Sequence, residues 1–331
     1  MGIFYHICPI RSIANSKVLH WQTGPENGKI PPVTDNAPVL PGLKMLQKLG
    51  EGGMSHVWKA LDRRSKCNVA VKILKPELAA NAEDARLFAA ESKLMETIDH
   101  EGIVKSYGLY AFDGLIYYVM EFVDGYSFGQ FLREKHRIQE VDCLLICESI
   151  ASALDYAWNN FGIVHCDIKP DNIMINLDGT VKLTDLGLSR TFKFLKSGTL
   201  KAGDHVVGTP AYISPEQIYG DVELDCRADI YSLAASLYHL GTCRMLFPGD
   251  DSEMIVRCHC DLAAQAPDPR RFHHFSEGFC QLLEVMLVKD RDYRIPTWQD
   301  VFSMCRGVEA GTIYKRRPTM DIAPSSMTLD A

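Results

Sequence analysis

The chain has 331 residues, of which 47% are hydrophobic and 23% are charged, a composition typical of a folded globular protein. Its formal net charge of -7, without an extended Lys/Arg block, argues against nucleic acid as a main partner. No apolar run reaches the roughly 18 to 20 residues of a membrane span, and no signal peptide is recognisable, so the sequence predicts a cytoplasmic protein without a membrane span.

The chain divides into three parts by composition. Residues 22–42 are rich in Pro, Gly and Asn and lack an apolar period, so an irregular arm or linker is predicted over residues 1–42. Residues 43–305 carry continuous periodic patterns and are predicted to form the folded core, with a first lobe over 43–123 and a second over 124–305. The polar residues 306–331 are predicted to form a tail.

Short runs of β-branched and aromatic residues predict strands in the first lobe. These runs are KMLQKLG (44–50), HVWKALD (56–62), NVAVKILK (68–75) and LIYYVMEFV (115–123). One helix interrupts them, with Asn81 as its predicted N-cap. Its apolar stripe is predicted to consist of Leu87, Phe88, Leu94, Met95 and Ile98.

After Gly125 the apolar period becomes helical and predicts helices over 140–158, 228–240 and 276–289. The sequence therefore predicts an α+β fold of two lobes, a small β-rich lobe with one helix and a larger, mainly helical lobe. Cys258 and Cys260 flank His259 in the second lobe. Metal ligation by these three residues stays open beside the simpler interpretation, the end of a strand or helix.

The third predicted strand carries a lysine among apolar residues. In NVAVKILK, Lys72 shares its face with Ala70 and Leu74. A lysine that extends its amine to solvent at a sheet edge is the simpler interpretation. Glu91 argues against it, because this residue falls inside the apolar stripe of the next helix, where an unpaired carboxylate is costly. Since consecutive elements tend to pack together, a Lys72–Glu91 ion pair is predicted.

A glycine-rich turn, LGEGGMSHV, lies between the first two predicted strands. Gly50, Gly52 and Gly53 allow backbone amides to approach the oxygens of a phosphate closely. The turn alone is a weak indication of nucleotide binding. It also lacks the following helix that a dinucleotide fingerprint or a Walker loop requires.

The segment HCDIKPDN, residues 165–172, concentrates charged and polar side chains in one bend. The hairpin predicted after it, around Asp178 and Gly179, ends at Asp185. Asp167, Asn172 and Asp185 are therefore expected to converge and to offer the oxygen ligands that Mg²⁺ prefers. Together with a lysine and a glycine turn for phosphates, these groups are what phosphoryl transfer requires.

In this order and spacing, residues 43–305 resemble a protein kinase, specifically the bacterial Ser/Thr kinases of eukaryotic type. The resemblance implies Asp167 as catalytic base, Lys169 as contact to the γ-phosphate, Lys72 with its partner Glu91, and Asn172 and Asp185 as Mg²⁺ ligands. It also assigns the ATP site to Gly50, Glu51, Gly52, Gly53, Val57, Ala70, Lys72, Met120, Glu121, Val123 and Met174.

The end of the activation segment and two partner residues extend the resemblance. GTPAYISPE, with Thr209, together with Lys169 implies protein Ser/Thr substrates rather than tyrosine or small molecules. Thr209 is expected to contact Asp167 and Lys169. Asp229 and Arg294 match the family's buried aspartate and the arginine that pairs with Glu216.

Two positions depart from the family pattern. Leu186 replaces the usual phenylalanine and remains apolar. Cys166 replaces the arginine that pairs with a phosphorylated activation segment, so activity is predicted to depend less on such phosphorylation. A regulatory thiol at Cys166 is an alternative to a small residue tolerated in a packed loop. A pseudokinase that binds nucleotide as a scaffold is the rival function. Pseudokinases typically lack at least one of five residues that are all present here, namely Lys72, Glu91, Asp167, Asn172 and Asp185.

Overall fold

The computed structural model describes residues 37–134, 137–186, 190–191, 209–220, 223–272 and 274–311. Residues 1–36 of the predicted arm and 312–331 of the predicted tail lie outside them. Within the described residues, Leu40 of the predicted arm is buried in the apolar core of the first lobe, and the last helix continues to Glu309.

The first lobe is built on a five-stranded antiparallel sheet with the order β1-β2-β3-β5-β4. Its strands are β1 (Leu43–Glu51), β2 (Ser55–Asp62), β3 (Asn68–Leu74), β4 (Ser106–Phe112) and β5 (Leu115–Glu121). Two helices, α1 (Pro76–Ala79) and α2 (Ala82–Thr97), connect β3 to β4. The strands predicted from the sequence are all present.

Strand β3 is buried on both sides, which explains its unbroken apolar run. Val69, Val71 and Ile73 pack in a cluster with Leu40 and Trp58 on the outer face of the sheet. The opposite face packs on α2. Both faces of the strand are therefore withdrawn from water, as in a central strand of a covered sheet.

Helix α2 begins as predicted, because the Asn81 side chain accepts a hydrogen bond from the backbone N–H of Glu83. The predicted stripe was wrong at Leu87, which is 42% exposed. Phe88 and Met95 are buried as predicted, Ile98 is buried at the C-cap and Leu94 packs against the core, while Glu91 and Ser92 complete the buried face of the helix. Glu91 lies on this buried face, as its place inside the apolar stripe predicts.

The second lobe is mainly helical, and its strands are short. Its helices are α3 (Phe128–Arg133), α4 (Glu140–Phe161), α5 (Pro215–Ile218), α6 (Cys226–Thr242), α7 (Ser252–Cys260), α8 (Glu277–Met286) and α9 (Trp298–Glu309). Its strands are β6 (Gly125–Ser127), β7 (Ile163–Val164), β8 (Ile173–Asn176), β9 (Val181–Leu183) and β10 (Arg190–Thr191). Almost every residue of α6 is buried, so this helix forms the centre of the lobe.

Among the helix ends that differ from the sequence prediction, two have identifiable reasons. Helix α4 extends to Phe161, and Gly162 ends it with a φ of 63°. Helix α8 ends at Met286 rather than at residue 289, and the Arg294 side chain donates hydrogen bonds to the carbonyls of Val288 and Lys289. Among the described residues, no helix combines the length and apolar character needed to cross a membrane.

The predicted hairpin after HCDIKPDN is present and leads to the candidate site. Strands β8 and β9 pair antiparallel, and Asp178 accepts a hydrogen bond from the backbone N–H of Thr180 in the turn. Gly179 has a φ of 89°, a conformation that glycine adopts without strain. Leu183 at the end of β9 forms a bridge to Ile103 of the first lobe, so the hairpin lies where the two lobes meet.

Candidate active site

Lys72 and Glu91 form the ion pair that the sequence predicts. The Lys72 Nζ lies 2.8 Å from Glu91 Oε1, and both side chains are at most 10% exposed. Strand β3 carries the lysine and the buried face of α2 carries the carboxylate, so the pair ties the helix to the sheet. Burial raises the pKa of Glu91, although the Lys72 ammonium opposes that rise.

Asp185 also contacts the Lys72 ammonium, from the segment that follows β9. Its side chain is 46% exposed, so one part of the carboxylate meets Lys72 while the rest faces open space. Burial against neighbouring atoms acts to raise the pKa of Asp185, but the Lys72 ammonium outweighs this effect and holds the pKa below its usual value. Asp185 has a φ of 65°, an uncommon conformation for a residue other than glycine.

Helix α6 holds the bend HCDIKPDN in place through hydrogen bonds to its backbone. Asp229 accepts hydrogen bonds from the backbone N–H groups of His165, at 2.7 Å, and Cys166, at 2.9 Å. Cys166 has a φ of 67°, and its carbonyl accepts a hydrogen bond from Gln217 Nε2 at 2.8 Å. A buried carboxylate from one helix and an amide from another therefore hold a strained part of the loop in place.

Asp167, Lys169 and Thr209 contact one another, as the sequence predicts. Lys169 Nζ lies 2.7 Å from Asp167 Oδ2 and donates a hydrogen bond to Thr209 Oγ1 at 2.8 Å. Thr209 Oγ1 in turn donates to Asp167 Oδ1 at 2.8 Å. Asn172 joins this group through its Nδ2, which donates to the Asp167 backbone carbonyl at 2.9 Å. The amide oxygen of Asn172 takes no part in this hydrogen bond.

Strand register brings the residues predicted for the ATP site together. Val57 pairs with both Gly50 and Lys72 across β1, β2 and β3, and Ala70 pairs with Met120 across β3 and β5. The glycine turn and the lysine are thus neighbours on one sheet, although 22 residues separate Gly50 from Lys72. Gly52 and Gly53 lie in the same turn, where the Gly52 N–H donates to the Ser55 carbonyl.

Three apolar residues predicted for the ATP site share one cluster. Val123 belongs to the cluster, and Met120 and Met174 pack against it. Leu186 is also buried there, so the leucine fills the position that the family usually gives to phenylalanine. These residues come from β5, from the segment that follows it, from β8 and from the segment after β9.

Two acidic residues in the predicted ATP site have other side-chain partners. Glu121 pairs with Lys182 at 2.9 Å, and Glu51 pairs with Lys48 at 2.8 Å and Lys75 at 3.3 Å. Their side chains are therefore occupied by cations of the protein.

A second buried ion pair supports the segment after Thr209. Arg294 is 3% exposed, and its Nη1 and Nη2 lie 2.6 and 3.0 Å from the two carboxylate oxygens of Glu216 in α5. This bidentate pair is the one expected from the sequence. It links the C-terminal part of the second lobe to the segment that positions Thr209.

Tyr118 is a member of the site that sequence analysis missed. Its hydroxyl donates to Glu91 Oε1 at 2.8 Å, and it is completely buried. The signal was present in the alternation of β5, since Tyr118 lies on the same face of the strand as Met120. A hydroxyl on a buried face requires a polar partner.

The sequence Cys258-His259-Cys260 forms the last turn of α7. His259 is buried, and its Nδ1 lies 2.8 Å from the Tyr231 hydroxyl. Burial lowers the pKa of His259 to about 4. The described part of the chain contains no group of three or more His, Cys, Asp or Glu side chains placed to hold a metal ion. The contacts of His259 are those of a packed core residue at a helix end.

Comparison with known proteins identifies a matching family model and several relatives. The family model for the protein kinase domain matches residues 43–304. The chain is 36% identical over 225 residues to a probable serine/threonine-protein kinase of Clostridium acetobutylicum, covering 68% of this chain and 34% of the relative. It is 33% identical over 259 residues to the serine/threonine-protein kinase PrkC of Bacillus subtilis, covering 78% and 39%.

A third relative is covered over more of its length. The serine/threonine-protein kinase PknA of Mycobacterium tuberculosis is 32% identical over 285 residues, which span 84% of this chain and 63% of the relative. The chain therefore spans between about a third and two thirds of the length of these curated relatives.

Proposed function

Because this chain belongs to the protein kinase domain family, we propose that it transfers the γ-phosphoryl group of ATP to serine and threonine hydroxyls of proteins, including its own. The observation that carries the proposal is the contact of Lys72 with both Glu91 and Asp185. The Lys72 ammonium of the first lobe and the Asp185 carboxylate of the second lobe thus lie side by side. The names of the relatives support Ser/Thr specificity.

Lys72 is the proposed anchor for the phosphates of ATP. Its ammonium is a compact cation with three N–H donors. One of them binds Glu91, so the others can donate to phosphate oxygens. The backbone of Gly50, Gly52 and Gly53 would approach the same phosphates without side-chain obstruction. Val123, Met120 and Met174 would contact the base through apolar surface.

The donor set fits a magnesium ion. Asp185 offers a partly exposed carboxylate and Asn172 an amide oxygen, and Mg²⁺ in phosphoryl-transfer sites commonly takes one or two protein oxygens beside those of the substrate and water. When bound, the ion would neutralise charge on the β- and γ-phosphates. Asp185 and Asn172 would hold it, and their positions follow from β9 and from the turn Pro170–Asn172.

Asp167 and Lys169 would act on the reacting groups. The substrate hydroxyl oxygen forms a bond to the γ-phosphorus while the bond between that phosphorus and the β–γ bridging oxygen breaks, and ADP leaves. Asp167 would orient the hydroxyl and accept its proton. Lys169, held by Asp167 and Thr209, would stabilise the negative charge of the transferred group.

The test is incubation of the purified chain with γ-labelled ATP, Mg²⁺ and a generic basic protein, followed by phosphoamino acid analysis. The expected result is label in phosphoserine and phosphothreonine, with no label when Asp185→Ala replaces the wild type. Nucleotide binding without any transfer would contradict the proposal and favour the pseudokinase alternative. Label in phosphotyrosine alone would contradict the proposed substrate class.

A further inference from the structure

Tyr118 lies in the centre of the first lobe and directly beside Lys72. The two residues are paired in the register of β3 and β5, and both side chains project towards α2. Tyr118 is completely buried, and its ring lies against Phe88 of α2 with 5.0 Å between ring centroids. The ring would fill this space equally well without a hydroxyl group.

The hydroxyl group of Tyr118 binds the same carboxylate oxygen as Lys72. Both Tyr118 Oη and Lys72 Nζ lie 2.8 Å from Glu91 Oε1. A hydrogen bond to a charged acceptor in a dry site is stronger than one between neutral groups. The Lys72 ammonium also lies 5.7 Å from the centroid of the tyrosine ring, so the ring itself faces the cation.

Lys72 alone cannot give Glu91 a constant partner. Its ammonium is already shared with Asp185, and in the proposed reaction it must also serve the phosphates of ATP. Each of these anions draws the ammonium away from Glu91. Tyr118 has no such competing task, because its hydroxyl is buried against Glu91. Burial also holds the pKa of Tyr118 well above its ordinary value, so the hydroxyl remains a donor throughout the physiological range.

We propose that Tyr118 is a positioning residue for phosphoryl transfer, because its hydroxyl fixes Glu91, and with it α2, in the place where Glu91 orients Lys72. This inference rests on the proposed kinase function. It assigns to the hydroxyl a role that apolar packing in β5 does not require. The groups that face Glu91 from the neighbouring elements are Lys72 of β3, Tyr118 of β5 and Asp185 after β9.

The substitution Tyr118→Phe removes the hydroxyl and keeps the ring. We expect kcat/KM for ATP to fall about tenfold to a hundredfold, the effect of one hydrogen bond to a charged group, while KM for the protein acceptor stays unchanged. The Tyr118 hydroxyl lowers the pKa of Glu91, so its loss should raise that pKa. The acidic limb of the pH profile of kcat/KM for ATP should therefore move to higher pH.

The matched control is Tyr117→Phe, at the residue of β5 directly before Tyr118. Tyr117 is also buried, but it packs on the outer face of the sheet, where its ring stacks on Tyr110. This variant should keep the wild-type pH profile and kcat/KM. The control separates the effect of losing a phenol from the effect of losing the bond to Glu91.

Three outcomes would decide the matter. An inactive wild-type chain would refute the proposed function itself. An active wild type with a Tyr118→Phe variant of equal kcat/KM and pH profile would refute the positioning role alone, even if thermal stability had fallen. If Tyr118→Phe yields too little folded protein, Tyr118→Leu and Tyr118→Met provide apolar replacements, and a wild-type pH profile in either would refute the role equally.

Discussion

Lys72 of β3 and Asp185, which follows β9, are in direct ionic contact although 113 residues separate them along the chain. The contact joins the two lobes at the point where the glycine turn, the ion pair with Glu91 and the segment after the hairpin meet. A single triphosphate could therefore lie within reach of both side chains. Had these residues faced separate cavities, the kinase interpretation of the sequence would have failed.

The first prediction concerns Lys72→Met. We expect phosphoryl transfer to fall at least a hundredfold, because the proposed anchor for the phosphates is lost while the methionine fills a similar volume. The variant should also unfold at a lower temperature, since Glu91 would be left buried without its cation. Transfer rates and thermal unfolding would be measured in parallel.

The control is Lys93→Met, on the exposed side of α2, which should change neither quantity. Unchanged transfer by Lys72→Met would show that the site is misassigned.

The second prediction concerns Thr209, whose hydroxyl bridges Lys169 and Asp167. Thr209→Val removes the bridge at nearly constant volume, so we expect kcat to fall about tenfold to a hundredfold as the lysine and the aspartate lose their fixed positions. Thr209→Ser keeps the hydroxyl and should retain most of the wild-type kcat. Steady-state kinetics on both variants would check this. Equal kcat for Val and Ser would contradict a role for the hydroxyl.

The third prediction concerns stability. Arg294→Met leaves the carboxylate of Glu216 buried and without its cation, so the free energy of unfolding should fall by about 3 to 5 kcal/mol. Denaturant unfolding monitored by circular dichroism would measure it. The matched control is Arg257→Met, which removes an ion pair whose side chains are 77% and 72% exposed and should cost less than about 0.5 kcal/mol. Equal losses in the two variants would contradict the prediction.

The sequence predicted those contacts that arise from charged residues in apolar surroundings. Lys72 and Glu91 were identifiable because each would be costly alone, and their pairing followed from consecutive elements. The loop residues Asp167 and Lys169 were identifiable from their motif, and so was Thr209. In all these cases the chemistry of the residue itself restricted its possible partners.

Other features could not be predicted because they depend on packing between distant segments. The apolar period of α2 suggested Leu87 as a core residue, but the helix turns that side chain towards solvent and buries the polar Ser92 instead. The end of α8 depends on Arg294, which contacts the carbonyls that follow the helix. Tyr118 was hidden among aromatic residues that a strand favours for apolar packing alone.

The fourth prediction concerns pH. Burial raises the pKa of Asp229 from 3.8 to about 6. Between these values the folded protein holds a proton that the unfolded chain has released, so this residue stabilises the fold at low pH and loses that contribution as the pH rises through 6. Relative to Asp229→Asn, the free energy of unfolding of the wild type should fall by up to about 3 kcal/mol between pH 4 and pH 7. Denaturant titrations at several pH values would measure this difference, and parallel pH profiles would contradict it.

The last prediction follows from Cys166, at the position where the family usually has an arginine. Cys166 is 2% exposed and packs with Val164, Leu224 and Ala228, and Asp229 binds its backbone N–H. A neutral thiol has no positive charge with which to neutralise a phosphate on the activation segment. The same burial limits access of oxidants to a regulatory thiol at this position. The bend is instead held by Asp229 and Gln217, whose contacts require no phosphate.

We therefore expect activity to be largely independent of activation-segment phosphorylation. We expect three variants, Thr191→Ala, Ser197→Ala and Thr199→Ala, to keep kcat within about twofold of wild type each. None of them removes a coupling between phosphorylation of the segment and activity. Ser197 and Thr199 lie outside the described residues, so the test bears on them through activity alone. Thr209 is not informative here, because its hydroxyl contacts Asp167 and Lys169 directly. A large loss in one of the three alanine variants that aspartate at the same position restores would show that a phosphate orders the segment despite Cys166. Treatment of the wild type with a phosphatase supplies the independent check, and it should leave the initial rate of transfer unchanged.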